Sequence, residues 1–297
     1  MNILITNDDG ITSRGLLAAK RALDPVGTVS VIAPDSNRSA VGRGITIDRP
    51  LTVVEVTLRD GSTGYATDGT PVDCVRFAAL GLLGDPPDLI VSGINYGVNL
   101  GDDVTYSGTV AAAFEGLVLG IPAVAVSQQS TEAGVHFRRQ SGYDFSPAAE
   151  FLPGLVELIS TRGLPPGTIL NVNAPPPPAQ GVSVVRLGRR IYRDRLELES
   201  DERGRRRYHI YGDDPSYHDE PDTDFHAIAQ QRIAVTPIHL DLTGRRLLKR
   251  LRTWDWTLPD PGATPREARP RARGPEERSL DAGVEQSIEE EGGRERR

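Results

Sequence analysis

Two adjacent carboxylates, Asp8 and Asp9, close the opening run MNILITNDDG. Side chains alternate along a strand, so neighbouring carboxylates normally diverge. At a strand-to-loop bend both can turn toward one point. Two hard oxygen donors suit Mg²⁺ or Mn²⁺, which are usually held by one or two carboxylates with water and substrate phosphate around them. An Asp-Asp-Gly turn needs no cation, so the pair alone leaves both readings open. A second polar cluster, Asp35-Ser36-Asn37-Arg38-Ser39 and then Val41-Gly42-Arg43-Gly44, could supply a hydroxyl ligand, phosphate donors, or both. Read alone, such a cluster is more often an ordinary surface loop.

The third stretch is SGINYGVNLGDDVTYSGTVAAAFEG, Ser92 to Gly116. Asn95 can offer a carbonyl oxygen to a metal or its amide to phosphate. Tyr106-Ser107-Gly108-Thr109 leads into a helix whose first N–H groups are unpaired and favour an anion. Ser107 and Thr109 add hydroxyls, although either could simply be an N-cap. The loop is neither a Walker motif nor GxGxxG, and no lysine lies between Lys20 and Lys249. Asp102-Asp103 reads as a loop edge or a hydrogen-bonding pair. The five histidines, 136, 209, 218, 226 and 239, show no metal-binding spacing, and Cys74 reads as core.

Elements must bring these loops together. Asn2–Thr6, Val29–Ala33, Asp88–Ser92, Ala123–Ser127 and Thr168–Val172 read as buried strands, and Thr52–Val56 as a half-exposed one. Helices are expected over Ser13–Leu23, Pro71–Ala79, Ser107–Leu119, Tyr143–Ser160 and Gly244–Trp254. Short apolar strands alternating with helices mean an α/β fold: a doubly wound, Rossmann-like, mostly parallel sheet with helices on both faces. Ligands then bind at the carboxyl ends of the strands. The loops at Asn7–Gly10, Asp35–Gly44 and Ser92–Asp103 fall at those ends, and Tyr65–Pro71 reads as a further loop near the same crevice. After Pro178 the pattern turns to strands: Val182–Leu187, Ile191–Leu198 and Arg205–Tyr211, the last two a charged hairpin, then Arg232–His239. The domain is expected to span residues 1–258, with the hairpin extension at about 186–225. Residues 259–297 read as a disordered Pro/Arg/Glu-rich tail.

Bulk properties set outer limits. The chain has 297 residues and a net charge of −7, which argues against a general nucleic-acid binder. One cysteine permits no intrachain disulfide, and no stretch reaches the roughly 18 apolar residues of a membrane span. A cytoplasmic location is expected.

Taken together, NILITNDDG, Ala33-Pro34-Asp35 through Ser39, Ser92-Gly93-Ile94-Asn95 with Gly97 and Asn99–Gly101, Tyr106–Ala112, Gly120–Ala123 and Arg232–Pro237 resemble the SurE (survival protein E) family. The likeness runs from residue 1 to about 250, with all motifs in order. It implies a metal-dependent hydrolase of nucleoside 5′- and 3′-monophosphates. The implied metal ligands are Asp8, Asp9, Ser39 and Asn95, with Asp8 and Asp9 as catalytic carboxylates. Asn95, Ser107, Gly108 and Thr109 would meet phosphate, and Arg38 or Arg43 would add a charged contact. Dimers or tetramers formed by exchange of C-terminal segments, including a hairpin at Arg189 to Tyr211, are also implied. The competing reading is a nucleotide- and metal-binding sensor or receiver-like module without turnover.

Overall fold

The computed structural model describes residues 1–132, 141–210 and 216–258. His136, Tyr211 at the end of the expected hairpin, and the whole 259–297 tail lie outside them. The chain divides into a large unit, Met1–Leu242, and a second that begins at Thr243.

The large unit contains thirteen described strands and five described α-helices. In chain order they are β1 Asn2–Thr6, α1 Arg14–Leu23, β2 Thr28–Pro34, β3 Val53–Thr57, β4 Thr63–Thr67, α2 Pro71–Ala79, β5 Leu89–Tyr96, a 3₁₀ turn at Gly101–Thr105, and α3 Gly108–Val118. They continue with β6 Ala123–Gln128, α4 Ser146–Arg162, β7 Thr168–Ala174, β8 Val182–Val184, β9 Arg190–Ile191, β10 Glu197–Glu202, β11 Arg205–His209, β12 Ser216–Tyr217, α5 Asp224–Ala229 and β13 Ile233–His239. In the second unit, α6 spans Arg245–Leu251, and Trp254 and Trp256 stack on each other at 5.5 Å.

Nine strands form one sheet in the order β3-β4-β2-β1-β5-β6-β7-β13-β8. The run from β4 to β7 is parallel, whereas β3 and β13 enter antiparallel. The strand alternation sets the layers. Ile3 and Ile5 of β1 face α1 and α4, packing with Leu16, Ala19, Leu152 and Val156. Leu4 points the other way, into Cys74 and Val75 of α2 and Val110 and Ala113 of α3. The fold is therefore the expected α/β sheet covered on both faces. No helix among the described residues is long and apolar enough to cross a membrane.

Several elements differ from expectation: β5 runs on to Tyr96, through residues expected as loop, and β8 stops at Val184 rather than Leu187. β4 (TGYAT) was read as loop, because its five residues include a glycine and show little alternation; it is held as a strand by β2 on one side and β3 on the other. The segment expected as one strand, Ile191–Leu198, is broken: β9 stops at Ile191 and pairs with β12, and the hairpin strand starts only at Glu197. α5 is six residues long, too short for a periodic signal, and is marked by its cap, Thr223, which accepts from His226 N.

Candidate functional site

β1 lies between β2 and β5, so the chain leaves it in opposite lateral directions on the two sides. A doubly wound sheet opens a crevice at such a switch point. Asp8 and Asp9 follow β1, Asn37 and Ser39 follow β2, and Asn95 ends β5. All five line one cleft of about 270 Å³, together with Asn99, Asp103, Tyr106 and Ser107. The three strand-end loops thus meet as their positions in the sequence imply.

The turn that presents the two aspartates is tied locally. Asn7 Nδ2 donates to Gly10 O at 3.2 Å, and Gly10 N donates back to Asn7 Oδ1 at 3.1 Å. Gly10 has φ +98°, a conformation open to glycine. Asp8 O accepts Arg38 N at 2.7 Å, which fastens the second loop to the first.

Asp8 is buried, and Thr109 Oγ1 donates to its Oδ1 at 2.7 Å. Burial pushes the Asp8 carboxyl above its usual range; the Thr109 hydroxyl and the Gly108 and Thr109 backbone donors oppose that rise. Gly108 leaves room for this packing, since a Cβ there would stand 2.8 Å from Asp8 Cβ. Asp9 is half-buried, and its Oδ2 accepts Tyr96 N at 3.1 Å. Asn95 Nδ2 donates to Gly97 O at 2.8 Å. A carbonyl can only accept, so the bonded atom is the amide nitrogen and Oδ1 is the end left for a ligand. Ser39 Oγ donates to Asn37 Oδ1 at 2.6 Å, which uses its hydrogen and leaves oxygen lone pairs for a cation.

Two carboxylates, a hydroxyl and an amide oxygen make an all-oxygen donor set, suited to Mg²⁺ or Mn²⁺ rather than to a soft metal. Among the described residues no group of three or more His, Cys, Asp or Glu forms a metal centre. A cation in this cleft would rest on the aspartate pair plus neutral oxygens.

Some expected contacts are placed elsewhere. Gly108 and Thr109 engage Asp8 and do not line the cleft, because the first donors of α3 point at a buried carboxylate already there. Ser107 does line it; its Oγ accepts Val110 N at 3.1 Å, and the hydroxyl hydrogen is not used by that bond. Arg38 Nη2 bonds Asp35 Oδ1 and Asp68 O, both at 3.2 Å. Arg43 Nη2 donates to Glu115 Oε2 at 3.1 Å, away from the cleft lining. Neither guanidinium reaches into the cleft.

Other residues emerge only here. Asn37 accepts both Ser39 N at 2.7 Å and Ser39 Oγ, and so sets the ligand loop. Its signal is an Asx turn, an asparagine two residues before the residue it bonds. Asp103 forms a buried ion pair with Arg190, and Asp102 Oδ2 accepts Arg190 N at 2.9 Å, which bears out the hydrogen-bonding reading of that pair. Burial raises the Asp103 carboxyl while Arg190 opposes it. Cys74 is buried in the core.

The family model described as Survival protein SurE matches residues 3–194. A relative from Rubrobacter xylanophilus named 5′-nucleotidase SurE is 52% identical over 259 residues, 86% of this chain and 97% of that protein. One of the same name from Chloroflexus aggregans is 49% identical over 86% of this chain and 100% of its own. The crystal structure of a SurE protein from Aquifex aeolicus superposes with TM-score 0.70 at 36% identity, over 85% of this chain and 98% of that one. With its motifs in order, the sheet order that brings them together, and relatives matched over nearly their whole length, this chain belongs to the SurE family.

Proposed function

We infer that the chain is a nucleotidase that hydrolyses nucleoside 5′- and 3′-monophosphates to nucleoside and phosphate in the cleft at the β1/β5 switch point. The observation that carries this is the convergence of Asp8, Asp9, Ser39 and Asn95 on one cleft beside Ser107. The names of the relatives, 5′-nucleotidase SurE, support the same chemistry.

Asp8, Asp9, Ser39 and Asn95 would hold Mg²⁺ or Mn²⁺, which when bound neutralises phosphate charge and lowers the pKa of a coordinated water. The Ser107 hydroxyl meets a non-bridging oxygen as charge develops on it. Asp9 is less buried than Asp8 and takes the proton of the attacking water. The water oxygen bonds to phosphorus, the phosphorus–oxygen bond to the sugar breaks, and the nucleoside oxygen takes up the proton that Asp9 had accepted. Asp8, held by Thr109, anchors the ligand set. A sensor without turnover has no observation in its favour.

The test is phosphate release from a panel of nucleoside monophosphates with Mg²⁺ or Mn²⁺ and then with chelator. Turnover should require the metal, and Asp9→Asn should nearly abolish it. Equal activity in chelator removes the metal from the reading. We also place the protein in the cytoplasm as a homo-oligomer built through its C-terminal segments.

A further inference from the structure

Helix α3 carries a buried carboxylate that the hydrolysis does not use. Glu115 has 3% of its side chain exposed and faces two guanidinium groups from two different elements. Arg43 Nη2 donates to Oε2 at 3.1 Å. Arg76 Nη2, from α2, stands 2.6 Å from Oε1, but that oxygen has no aligned hydrogen-bond donor. The Arg76 contact is one of charge; the Arg43 contact is a directed bond. A desolvated carboxylate needs such a bond, because leaving it unpaired is costly.

What Arg43 belongs to gives the bond its meaning. Residues 35–50 contain no strand or helix, so this loop has no ladder to hold it. Ser39 opens a tight reversal in which Ala40 has φ +61° and Gly42 has φ +57°. Ala40 lines the cleft in a left-handed conformation that a side chain disfavours, and such residues persist where their surroundings over-determine them. On the near side of the reversal Asn37 binds Ser39, and Arg38 N binds Asp8 O. On the far side Gly42 N binds Tyr106 O at 3.1 Å, and Arg43 binds Glu115. Glu115 is on the helix whose first turn holds Asp8 through Thr109. One helix therefore registers two of the proposed metal ligands against each other.

We propose that Glu115 is a positioning residue for the cation site: through Arg43 it holds the strained turn that presents the Ser39 hydroxyl to the cleft opposite Asp8. This rests on the functional reading above for the identity of the ligands. Arg76 supplies the control, since it contacts the same carboxylate from an element that carries no ligand.

The experiment titrates Mn²⁺ into the full-length protein by calorimetry without substrate. In parallel it measures the Mn²⁺ concentration that half-saturates hydrolysis of a nucleoside 5′-monophosphate. Groups that orient metal ligands typically change affinity by 10–100-fold, so Arg43→Ala should weaken Mn²⁺ binding about tenfold in both measurements. Arg43→Lys, which restores a cation to Glu115, should recover most of the loss, and Arg76→Ala should bind Mn²⁺ as the wild type does. Glu115→Met, of similar length but with no oxygen to accept from Arg43, should weaken binding as Arg43→Ala does, and it stands in if Arg43→Ala fails to fold. Wild-type affinity in Arg43→Ala, or an equal loss in Arg76→Ala, overturns the proposal, as does a wild type that binds no Mn²⁺. A wild type that binds Mn²⁺ but hydrolyses nothing overturns the nucleotidase reading and leaves the calorimetric comparison to decide the positioning role.

Discussion

Asp8 illustrates how one buried carboxylate is kept usable. Its burial favours the protonated form, which would neither bind a cation nor balance its charge. The Thr109 hydroxyl at 2.7 Å and the first N–H groups of α3 act in the opposite direction, favouring the ion. Removing one of these donors should therefore raise the Asp8 pKa further and let protons compete better with the cation. Thr109→Val, nearly isosteric, should lower kcat/KM by roughly ten- to a hundredfold and move the acid limb of the pH–rate profile to higher pH. Thr109→Ser, which keeps the hydroxyl, should stay close to the wild type. A Thr109→Val enzyme with unchanged activity and an unmoved acid limb would show that Asp8 does not depend on this donor. Asp8, Asp9 and Asn95 could be read as candidates because they lie at or just past the ends of β1 and β5, a local feature, whereas Ser39, out in the loop after β2, was singled out as a ligand only by the likeness to the SurE family. Glu115 and Arg43 lie 72 positions apart, and Asp103 and Arg190 lie 87 apart. No local pattern links such pairs, so Arg43 read as a phosphate contact until its partner was visible.

At the scale of elements, the site depends on how closely α1 approaches the end of β5. Gly15 opens α1, and a Cβ there would lie 1.9 Å from Ile94 O, the residue before Asn95. That atom is backbone and cannot swing aside. Gly15→Ala should therefore force the helix and strand apart, cost about 2 kcal/mol or more of stability, and weaken metal-dependent hydrolysis by moving Asn95. Gly154 gives the contrast: it is an exposed position inside α4, and its Cβ would meet nothing within 4 Å. There the substitution removes only backbone freedom from the unfolded chain, so Gly154→Ala should stabilise by about 0.5–1 kcal/mol and leave turnover unchanged. Thermal melts of the two variants read the difference directly, and melting shifts of the same sign in both would contradict the packing argument. The buried strands β1, β2, β5, β6 and β7 were legible because each is a short apolar run followed by polar residues. β4 was not, because its strand character is conferred by neighbours on both edges rather than by its own five residues. The hairpin strands slipped for a related reason: charged residues run through the whole segment, and no apolar alternation marks where pairing begins.

On the scale of the whole molecule, the hairpin has no reason to stand alone. Apart from Ser200, every residue of β10 and β11 is exposed, and the arm displays Leu196, Leu198, Tyr208 and Ile210 to solvent. An isolated two-stranded hairpin is marginal in water, and its two edges offer unpaired backbone groups. The large unit also carries an apolar groove of about 930 Å³ lined by Phe114, Leu187 and Ile238, with Val184 exposed at its margin. Exposed apolar surface of this kind marks association sites, and both features support self-association through the C-terminal segments. The arm must be cut with care. Arg190 at its base is buried against Asp103 and lies over the Phe225 ring at 5.0 Å, so removing it would break the core as well as the arm. Replacing only residues 195–209 with a short Gly/Ser link leaves that anchor in place. The shortened protein should keep its metal-dependent turnover, because no residue of the arm lines the cleft. Its mass in light scattering should fall from a multiple of 32.2 kDa toward that of a single chain, or from four chains to two if the groove holds a second contact. A mass unchanged by the replacement, with folding verified by melting, would mean that the hairpin is not what joins the copies.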